Sequence, residues 1–181
     1  MSDYQFDGYV KVQQISGQGM ISLRGDLSST KLRKAIKDSI GHTVPAKMQI
    51  SVKGDSGIAW MSPDEALIFA PQAELAAQYA ALQKALKTTH ALLVDVSDAR
   101  CMFELKGPAV REVLAKVAPV DTSPTALKPG HIRRTRLAQV AGAFWLVDNK
   151  TARVVAFRSV TDYVAHLLNA VTSEGAQVFS G

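Results

Sequence analysis

With 47% hydrophobic and 20% charged residues over 181 positions, the chain has the mixture of a soluble globular protein, not the signature of disorder. A chain of this length buries roughly 70% of its unfolded surface and needs no covalent staples. The formal charge of +5 is modest for a dedicated nucleic-acid binder, and Cys101, the single cysteine, excludes an intrachain disulfide and gives no reason to expect an oxidising compartment.

The opening MSDYQFDGYVKVQQ has no basic segment leading into an apolar one, and no stretch approaches ~18 uninterrupted apolar residues. No membrane association is indicated, and the cytoplasm is the expected location. Residues 1–19 alternate weakly and end in the glycine-containing stretch 16–19, which reads as an N-terminal arm or an edge strand. Residues 20–25 (MISLRG) form a short strand. Leu27, Leu32, Ile36 and Ile40 then recur at near-helical spacing, with Ser28 or Ser29 as N-cap and Gly41 just past the end.

Strands follow over 48–52 and 58–61, separated by the turn 53–57, and the tight turn 62–65 leads into a third apolar strand at 66–70. Residues 72–87 form a helix carrying Leu75, Tyr79, Leu82 and Leu86 on one stripe. Residues 91–96 (ALLVDV) read as a buried strand.

The pattern then repeats. Residues 102–107 (MFELKG) restate 20–25, and Pro108 stands at the first position of a helix with Val110, Val113, Leu114 and Val117 on one face. After a proline-containing loop over 118–130, residues 132–140 and 144–147 make a hairpin around Ala141-Gly142. A further strand covers 154–157, a helix carries Val160 to Val171, and a last strand is expected over 176–179. Aligning Gly25 with Gly107 and Trp60 with Trp145 sets matching elements about eighty residues apart. The expected architecture is α+β, two tandem ferredoxin-like β-α-β-β-α-β halves over 20–97 and 98–181, with 1–19 as the arm.

Residues that carry chemistry are scarce. His42, His90, His131 and His166 are scattered, and no His-x-His, His-Glu-x-x-His or cysteine pair supports a metal site. Cys101 precedes an alternating strand and reads as a buried small hydrophobe instead of a nucleophile. Gly17-Gln18-Gly19 lacks the third glycine and the preceding strand of a dinucleotide fingerprint. In the basic stretch 131–136, Arg134 and Arg136 project to one strand face and Arg133 to the other. Without interleaved aromatics this reads as a solvated or subunit-contacting edge, not a nucleic-acid platform. Trp60 and Trp145 read as core. No catalytic, cofactor-binding or metal-binding residue is therefore expected.

Three stretches carry a family resemblance: IAWMSPDEALI over 58–68, VDVSDAR over 94–100, and LKGPAVREVLAK over 105–116. Asp121, Pro129-Gly130, the 134–139 strand and 158–163 extend it. In order and spacing they resemble the gamma subunit of heterotetrameric sarcosine oxidase. The Asp-Val-Ser stretch followed by Gly-Pro also resembles the T-protein-like folate-binding fold shared by the glycine-cleavage T-protein and iron-sulfur repair proteins. The resemblance implies a non-catalytic subunit of a complex that oxidises sarcosine to glycine and peroxide and passes the methyl carbon to tetrahydrofolate. It implies packing against the large alpha subunit, beside beta and delta subunits, with FAD, FMN, NAD and tetrahydrofolate handled by the complex and none bound by this chain alone. The alternatives are a stand-alone folate-dependent protein related to the T-protein or repair family, and a basic RNA-binding module. Tyr4, Phe6, Tyr9 and Val10 make the arm a candidate for docking on a partner, against the simpler reading that it packs on the chain's own sheet edge.

Overall fold

The computed structural model describes residues 4–178. They gather into two compact units, residues 17–98 in one, and residues 99–178 together with 4–16 in the other. In chain order the regular elements are β1 (Gln5–Asp7), β2 (Lys11–Ile15), β3 (Gln18–Gly25), α1 (Thr30–Ile40), β4 (Ile50–Lys53), β5 (Ser56–Ser62), β6 (Glu65–Pro71), α2 (Gln72–Ala85) and β7 (Ala91–Asp95). They continue with β8 (Arg100–Lys106), α3 (Val110–Val117), β9 (Ile132–Leu137), β10 (Val140–Leu146), β11 (Thr151–Phe157) and α4 (Thr161–Thr172). The described residues thus form a mixed α/β structure with two sheets and four helices.

In the unit of residues 17–98 the sheet order is β4-β5-β6-β3-β7, every neighbour antiparallel. Ile21, Leu23, Ile58, Ala66 and Ile68 turn one face toward Leu32 and Ile36 of α1 and Leu75 and Leu82 of α2. The intervening Met20, Leu67 and Phe69 are buried as well, so β6 reads as a continuous apolar run and not an alternation. Each such Leu, Ile or Phe contributes about 1.5–3 kcal/mol on burial. α1 starts where the Ser29 hydroxyl accepts the Leu32 N–H, and stops at Gly41, whose φ of 70° is left-handed.

In the other unit the order is β1-β2-β8-β11-β10-β9, again antiparallel throughout. Cys101, Phe103, Leu105, Phe144, Val154 and Ala156 pack on Val110, Val113 and Leu114 of α3 and on Val164 and Leu168 of α4. β2 holds the place beside β8 that β7 holds beside β3. Gly25, which ends β3, abuts β7, and Gly107, which follows β8, abuts the residues that lead into β2. A Cβ on Gly25 would lie 3.3 Å from the Ala91 Cβ, and one on Gly107 would lie 3.1 Å from the Val10 Cα.

Four expectations are corrected. The described part of the segment expected as an arm is β1, β2 and the start of β3, because β8 offers an unpaired edge and Val12 fills the core beneath it. β7 is not buried. It lies at the sheet edge with only β3 beside it, and Leu92 and Val94 are 56% and 41% exposed.

The hairpin between β9 and β10 turns at Ala138-Gln139, not Ala141-Gly142, with Ala138 at φ 50°. Gly142 sits inside β10 because a Cβ there would come within 2.6 Å of Leu137 Cδ1. Finally, residues 176–178 form no strand, and Phe179, which would have ended it, lies outside the described residues.

Candidate functional site

The four histidines fall in separate places: the loop after α1, the approach to β7, the approach to β9, and the exposed face of α4. Only His42 is buried. Its Nδ1 lies 3.3 Å from Ser51 Oγ and its Nε2 lies 3.1 Å from Ser56 Oγ. Ser56 Oγ also donates to the Lys53 carbonyl, so it accepts from Nε2–H and leaves Nδ1 to accept from Ser51. Burial, and secondarily the Lys53 charge, hold the His42 pKa below its ordinary value. The grouping spans a loop and both strands of the β4-β5 hairpin. It works as a hydrogen-bonded staple, and with the ring enclosed it offers no open position for a substrate. Sequence reasoning missed it, since Ser51 and Ser56 reach His42 only when the hairpin forms.

Cys101 is buried on β8, its Sγ 3.8 Å from the Ala156 carbonyl and 3.7 Å from that of Phe157. Burial pushes the thiol pKa up, away from the thiolate that a nucleophile requires. Arg133 turns onto the chain's own carbonyls of Ile132 and Ala126, while Arg134 and Arg136 are exposed on β9, an edge strand. Trp145 is buried in β10, and Trp60 packs partly against the core of its own unit from β5. With Gly25 set against Gly107 the ladders put Ala59, not Trp60, level with Trp145, so the expected alignment of the two tryptophans is off by one residue and they lie on opposite faces of their sheets. The structure therefore brings none of the sequence-singled residues together into one cleft. Among the described residues no group of three or more His, Cys, Asp or Glu is placed to hold a metal ion. No helix among them is long and apolar enough to cross a membrane.

Two further clusters of charge stand out. Lys116 Nζ lies 2.7 Å from Glu112 Oε1 and 2.9 Å from the Tyr9 hydroxyl, and Glu112 accepts the Val178 N–H at 2.8 Å. This network holds Tyr9 and Val178 against α3. The second cluster is the row Arg33, Lys34 and Lys37, which lines an open cleft of about 360 Å³ with Thr30, Thr43 and Val44. The Glu112/Lys116 spacing and the cation spacing along α1 are both visible in the sequence as i, i+3 and i, i+4 pairs.

Comparison with known proteins places this geometry. A family model described as "Sarcosine oxidase, gamma subunit family" matches residues 24–174. The sarcosine oxidase subunit gamma of Corynebacterium sp. (strain P-1) is 30% identical over 173 residues, which cover 93% of this chain and 83% of that protein. A chain of the heterotetrameric sarcosine oxidase from Corynebacterium sp. U-96, solved with pyrrole 2-carboxylate, is similar at a TM-score of 0.86 and 25% identity, over 98% of this chain and 91% of that one. The glycine cleavage system aminomethyltransferase T from Bartonella henselae shares the fold, at a TM-score of 0.63 and 14% identity over 86% of this chain and 44% of that chain. With the family pattern matched across residues 24–174, and a relative 30% identical along 93% of its length, the chain belongs to the sarcosine oxidase gamma subunit family.

Proposed function

We propose that this chain acts as a non-catalytic assembly subunit of a heterotetrameric sarcosine oxidase, packing against the large alpha subunit in a complex that also contains beta and delta subunits. The observation that carries the reading is the likeness, over 98% of the chain, to one chain of a heterotetrameric sarcosine oxidase. The placement of the chemistry-bearing side chains supports it: Cys101 and His42 are both enclosed, and each is engaged with groups of its own unit. The complex oxidises sarcosine to glycine with peroxide formed and the methyl carbon passed to tetrahydrofolate. FAD, FMN, NAD and tetrahydrofolate belong to the other subunits, and the assembly works in the cytoplasm.

The architecture proposed with this function is a T-protein-like fold of two tandem ferredoxin-like halves, residues 20–97 and 98–181. The strand order β7-β3-β6-β5, with β4 added outside, supports that motif in the first half, and β2-β8-β11-β10, with β9 outside, supports it in the second. In the second half the strand after the last helix is replaced by β2, supplied from the N-terminus.

Coexpression of the four chains tests the function. The expected result is stoichiometric copurification of this chain with the alpha subunit, peroxide release from sarcosine by the complex, and none by the isolated chain. Full assembly and activity of alpha, beta and delta without this chain would sink the proposal, as would peroxide release by the pure chain alone. Tetrahydrofolate binding by the isolated chain would instead favour a stand-alone folate-dependent protein.

A further inference from the structure

α1 carries Lys31, Arg33, Lys34 and Lys37 against a single acid, Asp38, and has no acidic residue in its first turn. That arrangement opposes local physics twice. Lys31 and Arg33, near the N-terminus, face the positive end of the helix dipole, and Lys37, though in the last turn where the dipole favours a cation, stands three residues from Lys34 and four from Arg33, the spacings at which like charges repel. Lys31 is drawn away to the Thr88 carbonyl and hydroxyl, and Arg33 reaches the Val44 carbonyl at 3.3 Å. The side chains of Lys34 and Lys37 make no hydrogen bond or ion pair among the described residues. The three cations flank the open cleft of about 360 Å³, whose apolar side chain is the buried Val44 and whose hydroxyls are Thr30 and Thr43.

We infer that this cleft is a docking groove for an acidic, extended segment of a partner subunit, with carboxylates set against Arg33, Lys34 and Lys37 and an aliphatic side chain against Val44. The inference rests on the subunit reading above and deepens it by naming a surface and the chemistry of its occupant. Charge complementarity selects the occupant: a carboxylate segment relieves the repulsion along α1, where the single acid, Asp38, makes no ion pair among the described residues and cannot balance four cations. A small anion is a poorer fit, because the cations are exposed, sit on flexible stems and converge on no single enclosed point. A single-stranded nucleic acid would want aromatic faces, and none lines the cleft.

The experiment compares three forms of the chain coexpressed with the alpha, beta and delta subunits: wild type, Lys34→Glu/Lys37→Glu, and Lys84→Glu/Lys87→Glu. The last has the same change in net charge, placed on the last turn of α2 and the turn that follows it, outside the cleft. Retention on a tagged alpha subunit is followed across a salt gradient, and circular dichroism with thermal melting confirms that each variant folds. The expected result is that the α1 double variant loses at least tenfold in affinity, with a shallower salt dependence, while the α2 variant matches wild type. If wild type copurifies and both variants match it, the groove is not an interface, although the subunit reading survives. If both variants weaken equally, general charge and not this groove governs binding, and the inference falls. If wild type itself fails to copurify, the subunit reading fails and takes the groove's occupant with it. Saturable binding of inorganic phosphate by the free chain, lost in the α1 variant and without effect on assembly, would mark a small-anion site and also overturn the inference.

Discussion

The hydroxyl of Tyr9 lies 2.9 Å from the ammonium of Lys116 on α3 and donates to the Val171 carbonyl of α4 at 2.9 Å, so a single side chain just ahead of β2 ties that strand to both helices of its unit. The backbone adds a bond from the Tyr9 N–H to the Thr172 carbonyl at 3.1 Å. Burial works against the Lys116 ammonium, but the hydrogen bonds and charges of Glu112 and Tyr9 outweigh it and its pKa is raised. Replacing Tyr9 by Phe keeps the ring and removes the hydroxyl, leaving the Val171 carbonyl and Lys116 each short of a partner. The expected cost is about 1–2 kcal/mol in urea-induced unfolding. An unchanged midpoint would show the network to be ornamental.

Deleting residues 1–16 removes β1 and β2, bares the edge of β8 and takes Val10 and Val12 out of the core. The truncated chain is expected to aggregate or to lose cooperative unfolding in its larger unit, measured by near-ultraviolet circular dichroism and light scattering. Loss of copurification on such a deletion would consequently report failed folding and not a lost interface. A truncated chain that stays monomeric and melts as wild type would refute the structural role given to β2.

Gly8 supplies a sharper probe of the same docking. A Cβ at that position would sit 1.9 Å from the Thr172 carbonyl oxygen, a backbone atom that cannot swing aside. Gly8→Ala is expected to push the β1-β2 hairpin off the end of α4 and destabilise by about 1–3 kcal/mol. Gly54→Ala meets nothing within 4 Å; its cost is confined to backbone strain at φ 58°. Equal losses in the two variants would mean that the contact with Thr172 is not the constraint.

Much of the fold was legible because its strongest signals are local. The Leu75, Tyr79, Leu82, Leu86 stripe marked α2, and Ser28 or Ser29 with Gly41 marked the two ends of α1, the structure choosing Ser29. The repeated strand, glycine and helix at Gly25 and Gly107 marked matching positions in the two sheets. What escaped depends on partners distant in sequence. Nothing in KVQQI says that it pairs with β8, ninety residues on. ALLVD is apolar enough for a central strand, yet its place at an edge is set by sheet order alone. Gly142 looked like a turn residue when its real constraint is the Leu137 side chain across the hairpin. As for function, the family was readable in short stretches such as LKGPAVREVLAK, whereas the His42 staple and the α1 groove needed coordinates.

Arg111 connects α3 to the loop that follows it. Its Nη1 donates to the carbonyls of Thr122 at 2.8 Å and Leu127 at 2.7 Å, and Thr122 Oγ1 returns a bond to the Arg111 carbonyl at 3.0 Å. Those contacts hold residues 118–130, which have no regular structure of their own. Arg111→Met is expected to cost about 1–3 kcal/mol and to open this loop to limited proteolysis. Arg111→Lys should recover only part of the loss, since an ammonium cannot reproduce the guanidinium fork. Cleavage rates equal to wild type in both variants would show that the loop is held by other means.

The His42 staple makes a pH prediction whose sign follows from its depressed pKa. In the folded chain the neutral ring is favoured, by burial and by Lys53, whereas the unfolded chain titrates near the ordinary value of 6.5. Below that pH the unfolded state binds more protons than the folded one. The destabilising contribution is therefore absent well above pH 6.5, grows as the pH falls through that value, and levels off only below the folded pKa. His42→Gln keeps polar atoms for Ser51 or Ser56 but does not titrate. At pH 8 it should be less stable than wild type by about 1–2 kcal/mol, because one amide cannot reproduce both ring contacts. Between pH 7 and pH 5 the gap between the two proteins should narrow, since wild type loses stability there through this ring and the variant does not. Carboxylate titration affects both chains alike, so the quantity to measure is the difference in unfolding free energy at matched pH. A gap that stays constant from pH 8 to pH 5, or widens as the pH falls, would mean that His42 is not held neutral by its enclosure.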